Sequence, residues 1–413
     1  MMSASERWSR IAAGARQLWA THQRTLLYLS VALLSVIAAL RLPRAFADLL
    51  WSPVFGHAID AKIPHLLVRR WFASIPVYND LSFAVHPPAT YAMLWPFFGW
   101  LDLTAARWLW ALTSVAALAW LIYLTLRESG ADSAMERGLV AILPLSMYAT
   151  AHTVRAGQLI LHLLPALLAG LLLLRRARPG WGLDLLAAAL VLVTLVKPTV
   201  SLPFLWLVPI LSGRLRPAVL IAAGYAALTL FAASFQELGT AALFQQWRAR
   251  GSALAASEGT ANLHLLLAAL GLERWILPAS LLVFVGLGLW IYRHRYADFW
   301  ILLAVTALVA RFWTYHRPTD DVMLLLPEIA LFRMAKGGSS SEGTDIAAAA
   351  LLAITAVGML APIGLIFSHP PWGSLVTAGN AVIWIVVLVF LIRQAGMAAE
   401  RSGDPKLRPQ TPG

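Results

Sequence analysis

Apolar runs of about 17 to 25 residues recur along the whole chain, and they limit its fold more than any other feature. A run of that length can cross the hydrocarbon of a bilayer as a helix, because the helix bonds every backbone group internally. Charge is correspondingly scarce. Asp, Glu, Lys and Arg make up 13% of the residues, against roughly 25% in a soluble domain. The chain therefore reads as an all-α, polytopic integral membrane protein with little mass outside the bilayer.

A net charge of +12 is compatible with nucleic-acid binding, but its distribution points elsewhere. More than half of the Lys and Arg lie in small clusters at every second gap between apolar runs, as membrane orientation requires. Assigning those clusters to one side gives about twelve transmembrane helices. They are expected near 25–42, 104–126, 138–152, 158–174, 183–197, 199–212, 216–235, 276–292, 298–315, 322–334, 346–367 and 375–393. Both chain ends then lie in the cytoplasm. Residues 1–24 are expected as a basic interfacial helix rather than a cleaved signal peptide. Residues 25–393 form the transmembrane domain, with extracytoplasmic loops at 43–88 and 236–261, and 394–413 read as a disordered tail. The short apolar pieces 89–101 and 262–272 read as re-entrant or interfacial, and the run 337–343 as a flexible linker.

Several chemistries find no support. The chain has no cysteine, hence no disulfide or thiolate site. No GxxxxGK[ST] or GxGxxG element marks a nucleotide site, and no two-His helical spacing marks a metal site.

The polar groups that remain concentrate on the outer side. The first outer loop is expected to contain a helix with Asp60 ahead of it. Ile63, Leu66, Leu67 and Trp71 lie on its apolar side, and Lys62, His65 and Arg69 on its polar side. Sugar transfer from a lipid phosphosugar to an alcohol needs a carboxylate to take the acceptor's proton and cations to hold the leaving phosphate. Asp60 suits the first role and Asp48, nearer the first span, competes for it; Asp60 is alternatively a cap or dipole partner of its helix. Lys197, a lone cation in LVKPTVSLP, reaches a lipid phosphate or snorkels to the interface. Arg69 and Arg155 are further candidates for the phosphate. Tyr78, His86, Gln158, His316 and Asp321 are candidates for contact with sugar or acceptor. The plainer reading of each is that loops at a water interface are polar.

The order of these elements resembles a known family. Asp60 is followed by Tyr78 in a Pro-Val-Tyr context, then His86-Pro87-Pro88, Gly157-Gln158, Lys197-Pro198 and the late run YHRPTDDVMLLLP. This pattern, over about residues 45–335, is similar to glycosyltransferase family 87 of the GT-C superclass. It departs from the family at His86, where a Tyr is usual, and at Pro64, where an aromatic is usual. The resemblance implies a GT-C fold, a polyprenyl-phosphate sugar as donor and metal-independent, inverting transfer on the extracytoplasmic face. It carries the family's loop aspartate to Asp60.

The expectation is an integral plasma-membrane glycosyltransferase, free of cofactor. It would move a mannose-like hexose or a pentose from a polyprenyl-phosphate donor to a cell-envelope glycan or glycolipid. A transporter or flippase of an anionic lipid-linked glycan is the competing class. That class needs charged residues along a path through the spans, where this chain offers only Arg311 and Glu328. A scaffold without catalysis is the third, in which outer polar residues need not converge.

Overall fold

The computed structural model describes residues 4–402 apart from 55, 80, 82, 177–179, 258–260, 338–342 and 361–371. Among the described residues the chain is helical, without strands. It begins with α1 (Ala4–Trp51), α2 (Ile59–Phe72), α3 (Pro88–Phe98) and α4 (Leu103–Glu128). Then come α5 (Ala134–Ser146), α6 (Tyr148–Ala156), α7 (Ile160–Arg176), α8 (Trp181–Thr194), α9 (Pro198–Ser201) and α10 (Leu207–Ser212). The rest is α11 (Arg216–Ala233), α12 (Thr240–Ser257), α13 (Leu263–Ala269), α14 (Ile276–Arg293), α15 (Phe299–Trp313), α16 (Leu325–Ala335), α17 (Thr344–Leu360) and α18 (Trp372–Ser402). A 3₁₀ turn, Pro318–Leu324, leads into α16.

Among the described residues five helices are long and apolar enough to cross a membrane, in α1, α4, α11, α14 and α18. The number is seven if two bent pairs each count as one span: α6 with α7 (116°), and α8 with residues 198–212 (120°). α15 and α17 are shorter apolar helices. The long helices leave large apolar side chains uncovered, among them Leu40, Leu112, Val219, Leu282 and Val382, a surface suited to lipid. α7, α15 and α16 are instead buried on nearly every side, as a helix apolar all round must be. They form the centre of a polytopic membrane protein.

Several sequence boundaries shift. α1 continues through Pro43 to Trp51, so Asp48 lies near the end of a long helix rather than in a loop. The expected span 138–152 is broken at Met147, after Pro144, into α5 and α6. α18 runs to Ser402, through the start of the stretch expected as a disordered tail. Most of the 337–343 linker and the end of the expected span 346–367 lie outside the described residues, as does Arg178.

Contacts sort the helix ends into two sets. At one end, Arg107 near the start of α4 donates to the Leu49 carbonyl at 2.5 Å, and Thr153 of α6 donates to the Thr319 carbonyl at 2.8 Å. Thr90 of α3 reaches the Val196 carbonyl beside the turn after α8 at 2.9 Å. At the opposite end, Glu128 closing α4 pairs with Arg176 closing α7 at 2.6 Å, and Arg333 of α16 also reaches the Glu128 carbonyl. Asp184 near the start of α8 holds Arg214, just ahead of α11, and Arg216, its first residue. Most clustered cations thus lie at one end, and the conspicuous loop residues at the other.

Candidate active site

The site is built on the short helix α2. Its cap position is taken by Ala58, in the left-handed region with φ 53°, and no side chain caps the helix. The Ala58 amide donates instead to the Arg155 carbonyl at 2.8 Å, tying α2 to the end of α6. Asp60 is therefore not the cap: it stands in the first turn, with its carboxylate turned to other partners. α2 buries Ala61, Pro64, Leu67, Val68 and Trp71. Leu66, expected on the apolar side, is 43% exposed. Trp71 fixes the far end of the helix, stacking on Tyr91 with centroids 4.4 Å apart and donating to the Ala232 carbonyl at 2.8 Å.

The elbow between α6 and α7 presses on this helix. Gly157 has φ +75°, and a Cβ there would lie 2.8 Å from the Ala61 Cβ and 3.2 Å from the Ala61 amide nitrogen. Only glycine accepts both the angle and the approach. The elbow in turn presents Gln158, which accepts from the Leu159 amide at 2.8 Å and donates to Asp60 Oδ2 at 3.3 Å.

Cations arrive from two other segments. Arg317 Nη1 is 3.9 Å from Asp60 Oδ1. Lys197, at the turn made with Pro198, pairs through its ammonium with the fully buried Asp320. Asp320 Oδ2 also accepts from the Arg317 amide at 3.2 Å. Burial pushes the Asp60 pKa above its ordinary value, with Lys197 and Arg317 pulling it back and Asp320 adding to the rise. For Asp320 burial acts in the same sense, but Lys197 and its other neighbours outweigh it and the pKa falls. His86 faces the same two cations. Burial, then Lys197 and Arg317, lower its pKa to about 4, so its ring is neutral at neutral pH.

The candidates from the sequence fall into three groups, with Tyr78 and Arg69 outside them. Asp60, Gln158, Lys197 and His86 come together around Arg317 and Asp320 of the late YHRPTDD run. His316 and Asp321 adjoin them: Asp321 Oδ1 receives His316 Nε2 at 2.9 Å and Arg311 Nε at 2.7 Å. Asp48 and Arg155 form a pair of their own at 3.3 Å, with His57 3.6 Å from Asp48. Tyr78 lies behind the site, buried against Trp71 and Tyr91, its hydroxyl donating to the His86 carbonyl at 2.5 Å. Arg69 is not brought to the group: it reaches the Leu101 carbonyl at 3.3 Å, beside His65 at 3.0 Å. Among the described residues no three His, Asp or Glu are grouped to hold a metal ion.

Asp60 is thus a partly enclosed carboxylate whose burial favours its taking up a proton. The Arg317 and Lys197 cations beside it can receive an anion. That combination can deprotonate a hydroxyl while stabilising a leaving phosphate. No curated protein and no solved structure gives a significant match to the chain. Residues 83–334, more than half of it, match glycosyltransferase family 87. The matched region includes His86, Gln158, Lys197 and the 316–321 run but begins after Asp60. With this match on a multi-helix membrane fold, the chain belongs to glycosyltransferase family 87, in the GT-C superclass, and is a membrane glycosyltransferase.

Proposed function

We propose that the enzyme transfers a hexose or pentose from a polyprenyl-phosphate donor to a glycan or glycolipid on the extracytoplasmic face, by single displacement with inversion. Asp60 takes the proton of the acceptor hydroxyl as its oxygen bonds to the anomeric carbon. The bond from that carbon to the phosphate oxygen breaks, and the electron pair leaves with the lipid phosphate. Lys197 and Arg317 lie where they can offset that added charge, with Arg155 nearby. Gln158 orients Asp60, and His86, His316 and Asp321 line the approach of sugar and acceptor. The single observation carrying this reading is that Asp60 meets cations from two remote segments at one end of the bundle. The extracytoplasmic assignment draws on the clustered cations at the opposite end.

Arg311, one of the two charges a transport path would need, pairs with Asp321 at the site end. That placement favours transfer over transport. Purified protein is expected to move labelled sugar from a synthetic polyprenyl-phosphate sugar to membrane-extract acceptors. No transfer from a range of such donors, with the protein folded, would overturn the proposal.

A further inference from the structure

The second outer loop contains α12, remote in sequence from every residue placed in the site. Two of its side chains bind the backbone of one other loop at both of its ends. Arg250 donates from Nε to the Tyr78 carbonyl at 2.6 Å and from Nη2 to the Asn79 carbonyl at 2.7 Å. Trp247 donates from Nε1 to the Val85 carbonyl at 2.8 Å. The same two ends are tied to each other by the Tyr78 hydroxyl, which donates to the His86 carbonyl at 2.5 Å. Three side-chain donors to carbonyls at the two ends of one short loop are more than packing requires. Among the described residues Leu243 is the buried apolar side chain of α12, and Trp247 packs partly buried against the core.

The loop carries one group toward the site. His86 is beside Lys197 and Arg317, and its ring has no hydrogen-bond partner among the described residues, whereas the carbonyls of Tyr78, Asn79, Val85 and His86 are bonded. A neutral imidazole held among cations, with open ring nitrogens, suits a sugar hydroxyl or a phosphate oxygen. The ring points usefully only if residues 78–86 keep their shape. We infer that Arg250 and Trp247 are positioning residues, which act through the 78–86 backbone to hold His86 against the donor's head group. They do not themselves touch substrate. The inference rests on the transferase reading above for what His86 binds, but the clamp can be measured without it.

The test uses the full-length protein in detergent or nanodiscs, with variants R250A, R250K and W247F and a control, R248A, which removes the exposed cation two residues earlier. Amide exchange of the 78–86 segment is measured without substrate, and kcat and KM for the polyprenyl-phosphate sugar are measured in parallel. R250A and W247F are expected to speed exchange in 78–86 and to raise KM about tenfold, a loss of about 1.4 kcal/mol, with kcat changed less. R250K is expected to recover part of both effects, since the lysine ammonium keeps the charge and donors but lacks the guanidinium's fixed planar fork. R248A is expected to match the unaltered enzyme. Unchanged exchange in 78–86, or equal effects in R248A, would overturn the clamp. Faster exchange with unchanged KM would overturn the positioning role. An unaltered enzyme without transfer activity would overturn the function proposed above, while the exchange result still decides the clamp.

Discussion

Arg317 Nη1 stands 3.9 Å from Asp60 Oδ1, close enough to favour the ionised carboxylate but too far for a tight pair. Burial works the other way and prevails, so Asp60 holds its proton to higher pH than the ordinary 3.8. A general base works only when ionised, so kcat/KM is expected to fall on the acid side through that raised value. R317Q deletes a cation that favours the carboxylate. The acid limb should then move to higher pH, and the plateau should drop about a hundredfold with the loss of an oxyanion partner. A pH profile of kcat/KM decides it: an acid limb that stays put in R317Q would mean another group sets it.

D60N keeps the side chain's shape and its contact with Gln158 but removes the base. Transfer is expected to fall by at least about a thousandfold. Thermal stability in detergent should not fall, because a carboxylate whose pKa is raised by folding detracts from stability at any pH above its unfolded value. D48N should stay within about tenfold of the unaltered enzyme, since Asp48 pairs with Arg155 rather than facing Lys197 and Arg317. An active D60N with a dead D48N would move the base to Asp48.

How far the sequence revealed this site depends on what spacing can encode. An amphipathic helix beside Asp60, Lys197 at a proline turn and Gly157-Gln158 at a helix start were readable, because each signal is local, although Asp60 lies in that helix's first turn rather than ahead of it. Arg69 was misplaced for a reason that helix geometry supplies. It is nine residues after Asp60, about 180° around the helix and about 13 Å along it, so both cannot face one point. Arg317 and Asp320 were visible in the YHRPTDD run, but their partners Asp60 and Lys197 come from distant segments. Only tertiary packing brings such groups together. The twelve expected spans illustrate the same limit. Hydropathy marks apolar stretches, but a helix enclosed by protein can be short or broken, as α5 and α6 are at Met147.

Lys197 and Asp320 form a buried pair, and removing one partner leaves the other's charge without compensation. K197M or D320L alone is expected to destabilise the protein by about 3 kcal/mol. The double variant should recover most of that loss, because an apolar pair of similar volume replaces two desolvated charges. Activity should stay low in all three, as each lacks Lys197 or leaves it unanchored. Melting temperatures for the four-protein cycle supply the coupling. A coupling near zero would mean that the pair is not closed in the folded protein, and full activity in K197M would remove Lys197 from phosphate stabilisation.

Gly157 and Gly213 provide a matched comparison for the last step from backbone to chemistry. Both have a left-handed φ, +75° and +64°, so alanine is strained at either by about 1–2 kcal/mol. They differ in surroundings. Nothing lies within 4 Å of a Cβ at Gly213, whereas one at Gly157 would meet Ala61 at 2.8 Å. The neighbour there cannot yield by a side-chain rotation, because Ala61 has only its Cβ on a helix held by Leu67, Val68 and Trp71. G157A must therefore push the elbow and α2 apart, moving Gln158 relative to Asp60. A shift of about 1 Å at a catalytic group costs on the order of a hundredfold in rate. G157A should lose more stability than G213A and nearly all transfer, while G213A should remain active. If both variants lose equal stability and both still transfer sugar, the close approach of the elbow to α2 is not what sets Asp60.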